Sequence, residues 1–263
     1  MIDLHHHCLP GVDDGPSSMA EAADLCKMAA DEGIDTIVAT PHVLRGRWRN
    51  RTRAEYASIL DELRGKAGIA PRILLGSEYF FGHDMDEMLR NESILPLAGS
   101  RYVLVEFASH AIPPLVREPL YRAQLDGWTP LIAHPERNLV FRSNPEVLAS
   151  LLRIGVKTQV TTGSITGDFG KEAEAAAIDW LQRGWVHVMA TDAHNAIKRP
   201  PRFQAARRRV AELVGEEIAQ ALFYENPKSI VENRGLVYDP DIPDVTEPKS
   251  EPLFTRVRKI FSR

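Results

Sequence analysis

The feature that most constrains the fold is the regular alternation of short apolar segments with longer helical patterns along the chain. Seven segments have the composition of buried strands, near residues 1–4, 36–40, 73–75, 102–105, 130–133, 156–161 and 186–191. Helix signals separate them, such as Ser18–Glu21 and Thr52–Glu55, which have the spacing of capping boxes. This alternation is typical of parallel β/α units. Seven units without an evident domain break predict a single α/β domain with a closed or nearly closed barrel, rather than a doubly wound open sheet.

Histidine or carboxylate side chains follow six of the seven predicted strands, at the point where each strand ends. In a barrel of parallel strands these ends meet on one face, which is where such barrels carry their chemistry. Together with an aspartate from the turn after the first strand, the residues that we expect to meet there are His5, His7, Asp14, His42, Glu78, Glu106, His134, Asp192 and His194. The sixth predicted strand, residues 156–161, has no such residue at its end.

The first strand ends in the run His5-His6-His7. Side chains alternate between the two faces of a strand, so His5 and His7 point the same way and His6 points the opposite way. Two imidazoles on one face can hold a divalent metal. The alternative is a histidine-rich surface terminus or a purification tag. An apolar lead-in and a Pro/Gly turn enclose this run, and we therefore favour the metal.

The nine candidate ligands are imidazoles and carboxylates, which suit Mn²⁺, Zn²⁺ or Fe²⁺ and are too many for one ion. A cluster of two or three ions generates hydroxide near neutral pH and binds the oxygens of a phosphoryl group, so the predicted reaction is hydrolysis of a phosphoester. Arg137 and Arg199 lie shortly after His134 and His194 in the sequence, and we assign both arginines to the substrate phosphate. The alternative for each arginine is a surface ion pair.

Other phosphatase mechanisms lack their motifs in this sequence. A cysteine phosphatase needs an arginine six positions after its cysteine, but Asp14 follows Cys8 at that distance and Glu32 follows Cys26. The sequence contains neither a Walker-type phosphate loop nor a Gly-x-Ser-x-Gly turn. The net charge of −4 gives no sign of nucleic-acid binding. Two cysteines, no signal peptide and no apolar run of membrane-spanning length favour a cytoplasmic protein.

Six segments resemble the PHP-domain superfamily, and more narrowly its bacterial tyrosine-protein phosphatases of capsule and exopolysaccharide systems. They occur in the order of that family within residues 1–235, at Asp3–Gly15, Thr40–His42, Gly76–Glu78, Val105–Phe107, Ala133–Arg137 and Thr191–Asn195. The resemblance implies a distorted (β/α)7 barrel of the PHP type, which is TIM-like, with two or three metal ions that are most often manganese.

The resemblance also implies how the ligands divide among the ions. One ion would be held by His5, His7, Glu78 and Asp192. A second would be held by Glu78, Glu106 and His134, with Glu78 as the bridge. The third would be held by Asp14, His42 and His194. Arg137 and Arg199 match arginines that these phosphatases use for the phosphate.

In that family the substrate is the phosphotyrosine-rich tail of a membrane-associated bacterial tyrosine kinase that controls polysaccharide synthesis and export. The resemblance therefore implies such a tail as the partner of this chain. Arginines are dense between Arg45 and Arg53, beside the predicted barrel mouth, and they could steer an acidic tail. A solvated basic surface is an equal alternative. The sequence does not predict an oligomeric state.

Two other functions remain open from the sequence. The first is a small-molecule phosphatase of the same superfamily, for example one that acts on histidinol phosphate. The second is a non-catalytic regulatory protein in which the metal cluster is structural. The number of candidate ligands argues against the second, because a structural site needs only about four.

We divide the chain into a phosphatase barrel at residues 1–235, a flexible linker at residues 236–252 that is rich in proline and acidic residues, and a C-terminal segment at residues 253–263. The C-terminal segment has apolar residues along one side of a helical projection and basic residues along the other. Such a segment suits an anionic membrane surface or a groove on a partner protein. Packing against its own barrel or a neighbouring subunit is the alternative.

Overall fold

The computed structural model describes residues 1–46, 48, 50–66, 71–82 and 85–243. Several segments singled out in the sequence lie outside the described residues. They are Arg47 and Arg49 of the arginine-rich loop, residues 244–252 of the predicted linker, and the predicted amphipathic segment 253–263.

The described residues form strands and helices that alternate along the chain. The strands are β1 (Ile2–His6), β2 (Thr36–Ala39), β3 (His42–Val43), β4 (Arg72–Leu75), β5 (Glu78–Phe80), β6 (Tyr102–Glu106), β7 (Thr129–Ala133), β8 (Lys157–Thr161) and β9 (Val188–Ala190). The helices are α1 (Met19–Asp31), α2 (Arg53–Arg64), α3 (Met85–Arg90), α4 (Arg117–Leu125), α5 (Leu139–Ser143), α6 (Pro145–Arg153), α7 (Thr162–Ile165), α8 (Lys171–Gln182), α9 (Gln204–Val214), α10 (Glu216–Gln220) and α11 (Asn226–Val231). Tighter turns occur at Leu97–Gly99 and Pro135–Arg137, and a wider one at Ala221–Glu225.

The strands are parallel and follow one another around a distorted barrel. β1, β2 and β4 form one sheet, and β3, β5, β6, β7, β8 and β9 form the other. β3 follows β2 closely along the chain, and β5 follows β4. β2 pairs with β4 in the first sheet and β3 pairs with β5 in the second, so the same two chain segments are neighbours in both sheets. A parallel bridge between His6 and Ala193 joins β1 to the chain that follows β9. The α/β barrel predicted from the sequence is therefore confirmed, as an interrupted circuit rather than one continuous sheet.

Alternate residues of each strand face two different cores, which is the expected behaviour of a strand covered on both sides. In β6, Val103 and Val105 pack in the large core between the strands and the helices. Tyr102 and Leu104 instead lie in a smaller apolar cluster inside the barrel. Glu106 is the next residue of that interior row, and it is buried at the strand's carboxyl end. The barrel interior thus changes from apolar to acidic where the strands end.

The described chain beyond residue 235 packs against the barrel. Tyr238 is only 1% exposed. The Asn226 side chain accepts hydrogen bonds from the backbone N–H groups of Val237 and Tyr238, at 2.9 Å each, and donates to the carbonyls of His187 and Tyr238 at 2.8 and 2.7 Å. Asp239 binds the Lys157 ammonium group at 2.6 Å. The packed region therefore extends beyond residue 235, the boundary expected from the sequence, because a buried tyrosine and a buried asparagine hold the chain in place.

The described helices are short and largely polar on their outer faces. No helix within the described ranges combines the length and the apolarity that are required to cross a lipid bilayer.

Candidate metal centre

The predicted ligands meet at the carboxyl ends of the strands. Two of them, His134 and Asp192, stand directly after β7 and at the second position after β9, and both adopt left-handed backbone angles, with φ of +33° and +52°. Residues other than glycine seldom adopt this conformation, and it is concentrated at functional sites because the surrounding structure must impose it. The strand ends therefore turn sharply at two of the candidate ligands.

The first group of donors surrounds the space between His5 and His7. Their Nε2 atoms are 3.1 Å apart. The Glu78 Oε2 atom lies 3.4 Å from both nitrogens, and the Asp192 Oδ1 atom lies 3.3 Å from His5 and 3.4 Å from His7. All four side chains are buried. As the sequence predicts, His5 and His7 point to the same side of the chain.

A second group of donors lies around Glu78, on the side facing β6 and β7. The His134 Nε2 atom is 2.9 Å from Glu78 Oε1 and 3.8 Å from Glu106 Oε1. Glu78 thus reaches the first group with one carboxylate oxygen and this group with the other. That arrangement is the one expected of a bridging carboxylate.

A third group lies nearest to the solvent. The Asp14 Oδ1 atom is 3.3 Å from His42 Nε2 and 3.2 Å from His194 Nε2. Asp14 is 39% exposed, whereas both histidines are buried. The His7 imidazole packs against that of His194, with ring centroids 3.8 Å apart, so this group adjoins the first.

The donor set fits divalent metal ions. Both Nε2 atoms of His5 and His7 face one another, although the Nδ1 atom of each ring already contacts an oxygen acceptor at 2.8 Å. Three further buried atoms of the site, Glu106 Oε2, Asp192 Oδ1 and His194 Nε2, make no well-aligned hydrogen bond among the described residues. His42 Nδ1 and Glu78 Oε2 lie 2.8 Å apart, so Glu78 also faces the third group. Buried polar atoms without partners are costly in proteins. Cations placed among these lone pairs would satisfy them, and the ligand types are those that Mn²⁺, Zn²⁺ and Fe²⁺ accept.

Burial lowers the pKa of two histidines of the site, but in His7 and His42 the neighbouring carboxylates outweigh burial and raise the pKa, in His42 to about 9. Burial and the nearby Arg137 guanidinium lower the pKa of His134 to about 3. Burial and the His7 imidazole lower the pKa of His194 to about 4. Both rings are therefore neutral near pH 7, and a neutral imidazole nitrogen can act as a ligand.

The pKa values of two carboxyl groups in the site are shifted in opposite directions. Burial and the charge of Glu78 raise the pKa of Glu106 to about 8, because two carboxylates share a buried space. Burial alone would raise the pKa of Asp192, but the neighbouring His5 and two arginines outweigh it and hold that pKa well below its usual range. The excess negative charge around Glu106 is a further reason to expect cations in this site.

Arg137 and Arg199 converge on the same carboxylate oxygen. The Arg137 Nη1 atom donates to Asp192 Oδ2 at 2.7 Å, and Arg199 Nη2 donates to the same oxygen. The two arginine side chains are 20% and 26% exposed. The arginines therefore lie at the rim of the site, one carboxylate away from His5 and His7, and the rest of each guanidinium remains available to an anion.

The arginine-rich loop contributes one side chain to the site itself. The Arg45 Nη1 atom lies 2.7 Å from Glu106 Oε1 and 3.1 Å from His42 Nε2. The Trp48 ring stacks over the His42 ring, with centroids 5.3 Å apart. Two further arginines contact the protein outside the site. Arg51 donates to the Gly11 carbonyl at 3.0 Å, and Arg53 pairs with the Glu92 carboxylate at 3.3 Å.

The sequence analysis did not identify two side chains that contact the Nδ1 atoms of the ligand histidines. Asp13 Oδ2 accepts from His7 Nδ1 at 2.8 Å, and Gln159 Oε1 contacts His5 Nδ1 at 2.8 Å. Asp13 stands beside Asp14, and adjacent aspartates after the first strand were a signal that both act. Gln159 lies in the middle of β8, the sixth strand of the sequence analysis, where we found no ligand. A polar residue in a buried strand was the available signal there.

A family model described as "Capsular polysaccharide synthesis, CpsB/CapC" matches residues 1–232. The chain is 34% identical over 245 residues to tyrosine-protein phosphatase YwqE of Bacillus subtilis (strain 168), covering 92% of this chain and 96% of that protein. It is 32% identical over 238 residues to tyrosine-protein phosphatase CpsB of Streptococcus pneumoniae, covering 88% of this chain and 98% of that protein.

A crystal structure gives a similar result for the fold. It comes from work on YwqE of Bacillus subtilis and CpsB of Streptococcus pneumoniae, which that work describes as unique metal-dependent tyrosine phosphatases. It superposes on this chain with a TM-score of 0.88 at 34% identity, over 93% of this chain and 99% of that one.

Proposed function

Because this chain belongs to the CpsB/CapC family of capsular polysaccharide synthesis, we propose that it is a metal-dependent tyrosine-protein phosphatase. The observation that carries the proposal is the convergence of nine imidazole and carboxylate side chains, eight of them buried, at the strand ends. The named relatives YwqE and CpsB are tyrosine-protein phosphatases, and the crystallographic work describes these enzymes as metal-dependent. The donor set supports the same chemistry for this chain.

Each group of donors is proposed to hold one ion. His5, His7, Glu78 and Asp192 would hold one ion. Glu78, Glu106 and His134 would hold a second, and Asp14, His42 and His194 would hold a third. Divalent ions supply two things when bound at such a site, a water whose pKa lies near neutrality and positive charge for the phosphoryl oxygens. The chain's part is to fix the donors in place before the substrate arrives.

The two rim arginines bind the phosphate of the substrate. Asp192 holds both guanidinium groups in one orientation through its Oδ2 atom. Their remaining N–H groups can donate to two phosphoryl oxygens, and these charge-assisted hydrogen bonds strengthen as negative charge builds up in the transition state. Arg45 is a third cation beside the second group of donors, at the side where Glu106 lies. In this scheme the phenolate departs without a general acid from the chain, because phenolate is a weakly basic leaving group, and it then takes a proton from solvent.

Three finer assignments follow from this function. Manganese is the preferred ion, as the resemblance to the PHP-type phosphatases implies, and the imidazole and carboxylate donors accept it. The substrate is a phosphotyrosine-rich tail of a bacterial tyrosine kinase in capsule or exopolysaccharide synthesis, which the basic rim of Arg45, Arg137 and Arg199 would attract. The cytoplasm is the proposed location, since Cys8 and Cys26 are both free thiols.

The test is an assay of the purified full chain, loaded with Mn²⁺, on phosphotyrosyl peptides, phosphoseryl peptides and histidinol phosphate. We expect phosphotyrosyl peptides to be hydrolysed with the highest kcat/KM, and a chelator to abolish turnover until Mn²⁺ is restored. The variant His134→Gln should lower kcat/KM by more than about 100-fold, because even the loss of a residue behind a metal ligand costs 10- to 100-fold.

The matched control is His110→Gln, since His110 is exposed and lies outside the donor groups. It should retain the activity of the unmodified chain. Preference for histidinol phosphate would replace the substrate with a small molecule. Turnover that survives chelation, or no turnover of any substrate by a metal-loaded protein, would refute the proposed function, and the second result would favour a regulatory role.

A further inference from the structure

We propose that Gln159 is a positioning residue for the metal centre, which fixes the tautomer and the orientation of His5. The inference rests on the proposed metal-dependent function and assigns a role to β8, which contributes none of the nine predicted ligands. Gln159 and His5 are both 0% exposed. Neither ring nor amide can therefore exchange its partner for bulk water without a local opening of the barrel.

The contact between the two side chains decides which His5 nitrogen carries the proton. Gln159 Oε1 lies 2.8 Å from His5 Nδ1, and an amide oxygen can only accept a hydrogen bond. The proton of neutral His5 is therefore on Nδ1. The lone pair on Nε2 then faces His7 Nε2 at 3.1 Å and the oxygens of the first donor group.

The opposite amide orientation would remove His5 from the donor set. An amide nitrogen facing Nδ1 would donate to it and move the imidazole proton to Nε2, where a metal ion has to bind. In the observed orientation, Gln159 Nε2 has no hydrogen-bond partner among the described residues. The amide thus leaves its own donor unpaired while its oxygen faces His5, which is the arrangement a metal-binding His5 requires.

The backbone at Gln159 is paired with a neighbouring strand on each side. Gln159 lies in the interior of the sheet, where it is the register partner of Ala133 in β7 and of Val188 in β9. Side chains on a strand that is paired on both sides are positioned more precisely than those on loops. His134 follows Ala133 directly, so the same register also sets the spacing between His5 and a ligand of the second donor group.

His7 is held by a different kind of group. Its Nδ1 atom contacts the Asp13 carboxylate at 2.8 Å, whereas His5 has a neutral amide. In a neutral ring either acceptor places the proton on Nδ1, but only the carboxylate adds negative charge next to its histidine. A glutamate at residue 159 would also accept from Nδ1, so Gln159→Glu should keep the tautomer, and Gln159→Leu should lose it at nearly equal volume.

The experiment measures Mn²⁺ binding by isothermal titration calorimetry in the full chain and its variants. We expect the Mn²⁺ dissociation constant to rise about 10- to 100-fold in Gln159→Leu and to stay within about threefold of the unmodified value in Gln159→Glu, as is usual for residues behind a metal ligand. Thr161→Val is the matched control. Thr161 lies two residues along the same strand, and its buried hydroxyl has no hydrogen-bond partner among the described residues. The Mn²⁺ dissociation constant of Thr161→Val should equal that of the unmodified chain.

A second measurement does not depend on any variant. Side-chain ¹⁵N NMR of the unmodified chain loaded with diamagnetic Zn²⁺ reports which nitrogen of each histidine carries a proton, and we expect Nδ1–H for His5. Protonation at Nε2 would overturn the inference, even if Gln159→Leu failed to fold. Equal Mn²⁺ affinity in Gln159→Leu and the unmodified chain would also overturn it. If the unmodified chain bound no Mn²⁺, the proposed function itself would be wrong.

Discussion

The removal of Arg137 or Arg199 tests how the substrate phosphate is bound. Each guanidinium can donate charge-assisted hydrogen bonds to a phosphoryl oxygen, and such a bond contributes about 1.5–3 kcal/mol. If that contribution is made in the transition state, Arg137→Ala and Arg199→Ala should each lower kcat/KM by about 10- to 150-fold.

The structure also predicts how the two losses combine. Both arginines donate to Asp192 Oδ2, so each helps to orient the carboxylate that orients the other. Residues that share a partner do not contribute independently. The double variant should therefore deviate from the product of the two single losses by more than about 0.5 kcal/mol, in a double-mutant cycle on kcat/KM.

The assay is steady-state hydrolysis of a phosphotyrosyl peptide at saturating Mn²⁺. Arg137→Lys keeps the charge without the forked geometry, and should lose part of the activity. Arg122→Ala is the control, because this arginine is 56% exposed and pairs with Glu118 on α4. Unchanged kcat/KM in both alanine variants would refute the assignment. So would a loss that disappears at higher Mn²⁺ concentration, since the arginines would then act through the metal alone.

Two further predictions concern stability. Asn226→Ala removes the four hydrogen bonds that hold residues 237 and 238 against the barrel. It should lower the free energy of unfolding, measured by urea denaturation, by roughly 3 kcal/mol and leave kcat of the folded enzyme unchanged. A loss below about 1 kcal/mol would contradict this prediction. His6 is buried, and burial together with His7 lowers its pKa to about 3. Its folded pKa lies below the unfolded value of about 6.5, so its contribution is complete above pH 6.5 and is lost as the pH falls toward 3. When the pH is lowered from 6.5 to 5, the free energy of unfolding should therefore fall by about 2 kcal/mol less in His6→Leu than in the unmodified chain. An equal fall in the two proteins, measured by urea denaturation at both pH values, would contradict this.

The elements that the sequence predicted best are those with local signals. Thr52 and Glu55 form both halves of a capping box at the start of α2. Ser18 caps α1 by accepting from the Glu21 N–H group, but the Glu21 carboxylate binds Ser17 instead of completing the box. The short helices α5 and α7 carry no comparable sequence signal, because four or five residues are too few for a recognisable helical period.

The breaks within two of the barrel strands were also not predictable. The sequence indicated one strand ending near Thr40 and another near Leu75, whereas the structure continues them as β3 and β5 after a short interruption. Pro41 accounts for part of this, since proline has no N–H group to donate to the neighbouring strand. The interruptions place His42 and Glu78 opposite one another as register partners.

What the sequence by itself determined is the order of the β/α units and the kind of side chain that ends each strand. Those are local properties, because apolar periodicity and ligand chemistry are readable in a few neighbouring residues. Only the tertiary structure decided that Arg137 and Arg199 converge on one oxygen of Asp192, and that Gln159 contacts His5 across 154 positions of the chain. Such pairings depend on sheet register and on the closure of the barrel, and no local pattern carries either of these.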